Sequence, residues 1–222
     1  LRPHNTLRIE IRADDGRRGG LSPITLGPAE RVLALHQESQ RWRVQVSMSI
    51  AVFSWLVALI SLVLWITQED PRPGQPRRDN TYLWAALAEL CWSLRVGDVA
   101  ITDPPIPWPW WGIVATASFA GWICCTALFC HHVAGWQGGR GMRWFGLGVA
   151  ALFLASVAAS ALAFFALEPI YLTAWLGLAN LCFVAYAAVY TVAAWRKPDV
   201  ARWLVALVGC LNVAMGIRDW LA

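Results

Sequence analysis

The sequence predicts an all-α polytopic membrane helix bundle of six spans, preceded by a short β segment, and three observations carry that prediction. Hydrophobic residues make up 58% of the 222-residue chain and charged residues 14%, against roughly 45–50% and roughly 25% in soluble domains. From Ser47 onward the apolar residues gather in runs of about twenty, the length that crosses a ~30 Å hydrocarbon layer as a helix. Basic residues fall in alternate connections between those runs, as the positive-inside rule requires.

The elements follow in order. Leu7-Arg8-Ile9-Glu10-Ile11-Arg12 alternates apolar and charged residues, the period of a half-buried strand. Asp14-Asp15-Gly16 and Gly19-Gly20 supply turn chemistry, and 21–26 can return as a second strand. Two strands do not hold themselves together in water, so residues 1–30 read as the end of a larger β domain. The opening at Leu1, with no apolar leader, gives the expectation of a piece of a longer polypeptide. Residues 31–46 read as a polar helical connector. The expected spans are 47–66, 82–101, 111–133, 144–166, 170–194 and 202–221. The second is the weakest, because Glu89, Arg95 and Asp98 lie in it, and a charge at the bilayer centre costs on the order of 2.5–3.5 kcal/mol on insertion scales. Glu168-Pro169 divides the fourth from the fifth, since proline interrupts helical hydrogen bonding.

Loop charge tests the count. Arg72, Arg77 and Arg78 lie between spans one and two, Arg140 and Arg143 between three and four, and Arg196 and Lys197 between five and six, with Arg202 at the margin of that loop. The connections at 102–110 and at Glu168-Pro169 carry no Lys or Arg. Without the second span this alternation is lost. The basic loops are therefore expected in the cytoplasm and the N-terminal segment outside, although that segment has eight arginines of its own; a domain exported by its own signal overrides such a bias. Trp42, Trp65, Trp108, Trp110, Trp111, Trp136, Trp144, Trp195 and Trp220 fall near span ends, where an amphipathic indole is favoured. An even number of spans returns the C-terminus outside, so a seventh span is expected beyond Ala222.

Several functions are disfavoured. Cys91, Cys124, Cys125, Cys130, Cys182 and Cys210 all lie in or beside apolar segments and read as small apolar residues. The net charge of +4 comes from arginines scattered over loops and the N-terminal segment, which is no nucleic-acid footprint. No nucleophile–base arrangement or phosphate loop stands out, so no catalytic residue and no cofactor is assigned. Cys124, Cys125, Cys130, His131 and His132 have metal-ligand chemistry, but Cys124 and His131 are two helical turns apart and no metal site is assigned. Ala151, Ala155, Ala159 and Ala163 recur every fourth residue, a spacing that lets helices approach closely, either within the bundle or in a dimer. Glu89, Arg95 and Asp98 are the candidate ligand-binding or switch residues. Arg95 and Asp98, three apart, share a helix face; Glu89, nearer mid-membrane, needs a partner, a wet cavity or a proton. The bland alternative is a structural tie between helices.

Taken together, Leu1-Arg2-Pro3-His4-Asn5-Thr6-Leu7-Arg8-Ile9-Glu10-Ile11, Arg18-Gly19-Gly20-Leu21-Ser22-Pro23 and Leu26-Gly27-Pro28 resemble the closing strands of the periplasmic jelly-roll in bacterial seven-transmembrane receptors with diverse intracellular signalling modules. Tyr82-Leu83-Trp84-Ala85-Ala86-Leu87 with Cys91-Trp92-Ser93-Leu94-Arg95 resembles that family's second span, and Asp103-Pro104-Pro105-Ile106-Pro107 with Trp110-Trp111 its next outer loop. Ala117-Ser118-Phe119-Ala120-Gly121-Trp122 resembles its third span and Arg218-Asp219-Trp220 the end of its sixth. The chain departs from the pattern at Val96-Gly97-Asp98 and at Arg218-Asp219. The resemblance implies a truncated extracytoplasmic jelly-roll, a multi-pass location in the bacterial inner membrane, an unknown small-molecule or membrane cue, a homodimer in the full-length receptor, and a cytoplasmic output such as a histidine kinase. A small transporter or channel subunit is the competing reading.

Overall fold

The computed structural model describes residues 26–69, 78–101, 103–136, 138–197 and 199–221, with side chains through 214. Helix α1, Ala29–Gln40, begins after Pro28 in an extended conformation and carries Glu30 in its first turn, where the helix dipole favours negative charge. None of its residues is buried. Through a π-turn, Arg41–Gln45, it continues into α2, Val46–Thr67, so that 29–67 is one helix of 39 residues.

The β segment expected over 1–30 falls mainly on residues 1–25, outside the described residues. At its far end the expectation is corrected, because Ala29 and Glu30 are already helical. Proline lacks the N–H that a strand ladder needs but that a helix start can spare, so Pro28 is a natural place for helix to begin. Among the described residues there is no strand; Glu69 and Arg78 form an isolated antiparallel bridge at the base of the α2–α3 connection.

Helix α3, Asn80–Gly97, is capped by Asp79, whose carboxylate accepts the Thr81 N–H at 2.9 Å, satisfying one of the orphan donors of a helix start. It ends in a 3-10 turn, Asp98–Ala100. Then come α4 (Trp110–Val133), α5 (Gly139–Phe165), α6 (Pro169–Arg196) and α7 (Val200–Leu221). Each expected span has its helix, although the second, expected to run to 101, leaves the α-helix at Gly97 for the 3-10 turn. The widest disagreement is at α5, which starts at Gly139 rather than at 144.

Among the described residues, four helices are by length and apolar content able to cross a membrane: the 29–67 helix, α4, α5 and α6; α7 is apolar over Val200–Ala214. Helix α3 is not among the four, since Glu89 and Arg95 dilute its apolar run. Its 18 residues nevertheless extend about 27 Å, and it packs against both α2 and α4.

The helices pack in chain order from α2 to α7, and α4 also touches α6 and α7. Helix α4 is the hub: 44% of its apolar window is buried, against 11–22% in the other three. Hydrocarbon solvates leucine as well as a protein core does, so such helices associate through close packing of small residues and through hydrogen bonds. Helix α2 turns Ala51, Ser54, Ala58 and Ser61 inward. Ala58 and its counterpart on α3, Ala86, are each 1% exposed, whereas Phe53, Ile60 and Val63 on the other side of α2 are 57–67% exposed. A face of that kind calls for lipid rather than water.

On α5 the interior face is Ser156, Ser160, Ala163 and Phe164. The four-residue alanine stripe therefore splits: Ala163 is buried and Ala159 half-buried, while Ala151 and Ala155 are exposed. Hydroxyls within the helices are mostly satisfied by the carbonyl four residues back, as for Thr116, Ser118, Ser160 and Thr191. This leaves few polar atoms facing the lipid.

Candidate functional site

Arg95 and Asp98 do pair. The guanidinium lies 3.4 Å from the carboxylate, with the side chains 44% and 25% exposed. The sequence reading missed a stronger partner: the indole N–H of Trp111, at the start of α4, donates to the other oxygen of Asp98. Trp111 is buried, so this bond carries the interaction, whereas an exposed ion pair contributes about 0–1 kcal/mol. The signal was positional. A short connection from α3 to α4 forces the end of one helix to the level of the start of the next, where Trp111 had been read only as an interfacial aromatic.

Glu89 does not join the set. It lies six residues before Arg95, about 9 Å along the axis and roughly 120° around it. It is half-buried and forms no hydrogen bond or ion pair with any described residue.

The Asp98–Ala100 turn also lies against the π-turn Arg41–Gln45 and against α2. Nearby, the Ser93 hydroxyl donates to the Ala51 carbonyl at 2.8 Å. A π-turn inserts a residue into the helical register and often marks a functional position. Here it sits where the exposed α1 enters the bundle, touching the turn that Asp98 and Trp111 fasten to α4. Asp98→Asn should be nearly neutral, because an amide oxygen still accepts the indole N–H. Asp98→Ala should cost about 2 kcal/mol by orphaning a buried donor. Equilibrium unfolding of the two variants in mixed micelles checks this, and equal losses would assign the effect to the ion pair instead.

At the opposite end of α4, His131 and His132 point into separate networks. The single hydroxyl proton of Tyr186 goes to the Ala127 carbonyl at 3.1 Å, so the 2.9 Å contact with His131 has Nδ1–H of the imidazole as donor. The His131 ring stacks on Phe145 with centroids 3.7 Å apart. His132 donates from Nδ1 to the Leu128 carbonyl at 2.9 Å. Helix α4 stops here in a left-handed cap: Gly135 has φ +72°, its N–H bonds the His132 carbonyl, and the Trp136 N–H bonds the His131 carbonyl. A glycine adopts that conformation without strain. From α7, Arg202 donates to the Ala134 carbonyl at 2.9 Å.

Cys124 donates to the Val149 carbonyl at 3.6 Å, so neither it nor His131 faces a shared ligand position. Among the described residues, no group of three or more His, Cys, Asp or Glu could hold a metal ion. The whole arrangement is that of a multi-pass helical membrane protein, with a polar fastening at one end of its central helix and an imidazole–aromatic cluster at the other. Comparison with family models, with curated proteins and with solved structures finds no match for the chain.

Proposed function

We propose that this chain is the transmembrane sensory module of a bacterial receptor, lying in the inner membrane with its N-terminal segment outside and its basic loops in the cytoplasm. One observation carries the reading: the uninterrupted helix of 39 residues, Ala29–Thr67. At about 1.5 Å per residue it is roughly 58 Å long, nearly twice a ~30 Å hydrocarbon layer. The excess, α1, has no buried residue and leads from the N-terminal segment into the bundle. A cue acting on that segment would tilt or turn α1. The π-turn would press on the Asp98–Ala100 turn, and Trp111 would pass the movement to α4, which touches α3, α5, α6 and α7. Six spans would return the chain to the outer face, and a seventh would lead to a cytoplasmic output such as a histidine kinase.

Two experiments test this. Reporter fusions after residue 137 and after Asp103 should place the first in the cytoplasm and the second outside; the reverse pattern overturns the orientation. Inserting one alanine after Gln37, within α1 and outside the π-turn, would rotate the part of α1 before it by about 100° relative to α2. In the full reading frame this should change the basal output several-fold while leaving bundle stability unchanged. Unaltered output would remove α1 from the signalling path.

Glu89 is the observation that favours transport instead, because an acidic group in a membrane helix, with no partner among the described residues, is suited to an ion or proton path. Substrate or proton flux in proteoliposomes that is lost on Glu89→Gln would replace the sensory reading.

A further inference from the structure

The α4–α5 and α6–α7 connections are fastened to one another. Arg202, in the first turn of α7, donates to the Ala134 carbonyl at 2.9 Å and to the Lys197 carbonyl at 3.5 Å. Trp136 packs on Tyr190 with ring centroids 5.8 Å apart. With Arg202 engaged in this way, the other cations of the two connections are Arg140, Arg143, Arg196 and Lys197. All are exposed, and none of their side chains has an ion pair or hydrogen bond to a described residue. Asp199 is the acid of these connections, so positive charge is in excess there. Arg140 and Arg143, three apart, share a helix face at the start of α5, whose first turn has no acid. There they add to the positive end of the helix dipole instead of offsetting it. Charge of one sign gathered like this calls for an anion from outside the chain.

The apolar neighbours decide what kind of anion. Trp144 and Trp195, next to these cations, are 72% and 73% exposed, and Leu147 and Leu204, farther into the spans, are 56% and 58% exposed. A soluble polyanion would leave the indoles and leucines in water. A phospholipid covers both, with indoles at headgroup level and leucines among the acyl chains. We infer that this end of the bundle holds an anionic phospholipid, its phosphate bound by Arg140 and Arg143 together with Arg196 and Lys197. Arginine forks match phosphate oxygens two at a time. The inference requires that the helices lie in a membrane, but it rests on neither the sensory reading nor its orientation.

The test releases the full chain from nanodiscs of mixed phosphatidylglycerol and phosphatidylcholine and counts the retained lipids by native mass spectrometry. Wild type should keep phosphatidylglycerol in preference. Arg140→Gln with Arg143→Gln, and separately Arg196→Gln with Lys197→Gln, should each lower that preference at least about five-fold, the contribution of a single basic side chain at an anionic surface. Both double variants should unfold in detergent as wild type does, because these side chains have no partner to lose among the described residues. Arg41→Gln with Arg43→Gln removes the same charge from exposed positions at the opposite end of the bundle and should leave the preference intact. No preference in wild type, or equal losses from all three double variants, overturns the inference. So does displacement of the lipid by soluble pyrophosphate, which would assign these cations to a soluble polyanion.

Discussion

Gly121→Leu should be among the most damaging single substitutions in the bundle, with a loss of about 3 kcal/mol from overpacking. At Gly121 a Cβ would lie 2.7 Å from the Cys91 sulfur and 3.7 Å from its Cβ. The first distance is impossible without movement and the second is ordinary contact, so the obstruction is the sulfur alone. Gly121→Ala should therefore cost about 1–2 kcal/mol, and adding Cys91→Ala should recover most of it. Leucine leaves no such remedy, because its branch reaches past Cys91 into α3, and α3 carries Asp98 and the contact with the π-turn. Steric-trap or detergent unfolding of the four variants, arranged as a double-mutant cycle, reads the coupling directly. A Cys91→Ala change that fails to rescue Gly121→Ala would show that the two helices have slack at this point.

Trp175→Ala should cost about 3 kcal/mol or more. Trp175 is 4% exposed and packs with Ala120, Ile123 and Ala179 on α4 and α6, with Phe153 and Phe183 alongside. Removing the indole opens a cavity, and in a membrane protein that loss is chiefly one of dispersion contacts. Its N–H also donates to the Leu152 carbonyl at 3.4 Å. That bond is replaceable. Ser156, one helical turn after Leu152, is fully buried and its hydroxyl has no partner among the described residues; when the indole leaves, it can donate to the carbonyl four residues back. Trp175→Phe should thus cost less than about 1.5 kcal/mol, and Trp175→Phe with Ser156→Ala more than the two single changes added. Additivity in unfolding measurements would exclude the exchange.

How much of this was legible without coordinates varies by residue. The approximate positions of α2 to α7 were, because apolar runs and loop arginines are one-dimensional signals. The Arg95–Asp98 pair was legible as well, being local. The inward faces were not. In a soluble helix apolar periodicity marks the core, but α4, α5 and α6 are apolar around most of their circumference, so lipid and protein interior leave the same imprint. For that reason the regular alanines at 151 and 155 attracted attention, although the buried face of α5 is the serine pair 156 and 160. Nor was the His131–Tyr186 bond legible: its partners are 55 residues apart, and nothing in either helix alone selects the rotation that joins them.

The sequence by itself determined that this chain is a series of long apolar helices, approximately where each of them lies, and which connections carry positive charge. Those properties follow from transferring each segment into hydrocarbon, a cost summed residue by residue. Only the tertiary structure decided that α4 is the hub, that Asp98 is held by Trp111 rather than chiefly by Arg95, and that α1 runs into the bundle through a π-turn resting on α3. It also decided that Arg202 fastens the α4–α5 and α6–α7 connections together. These depend on how each helix is rotated about its own axis, and among lipid-embedded helices that rotation is set by the close fit of small side chains and a few hydrogen bonds, which no single segment contains.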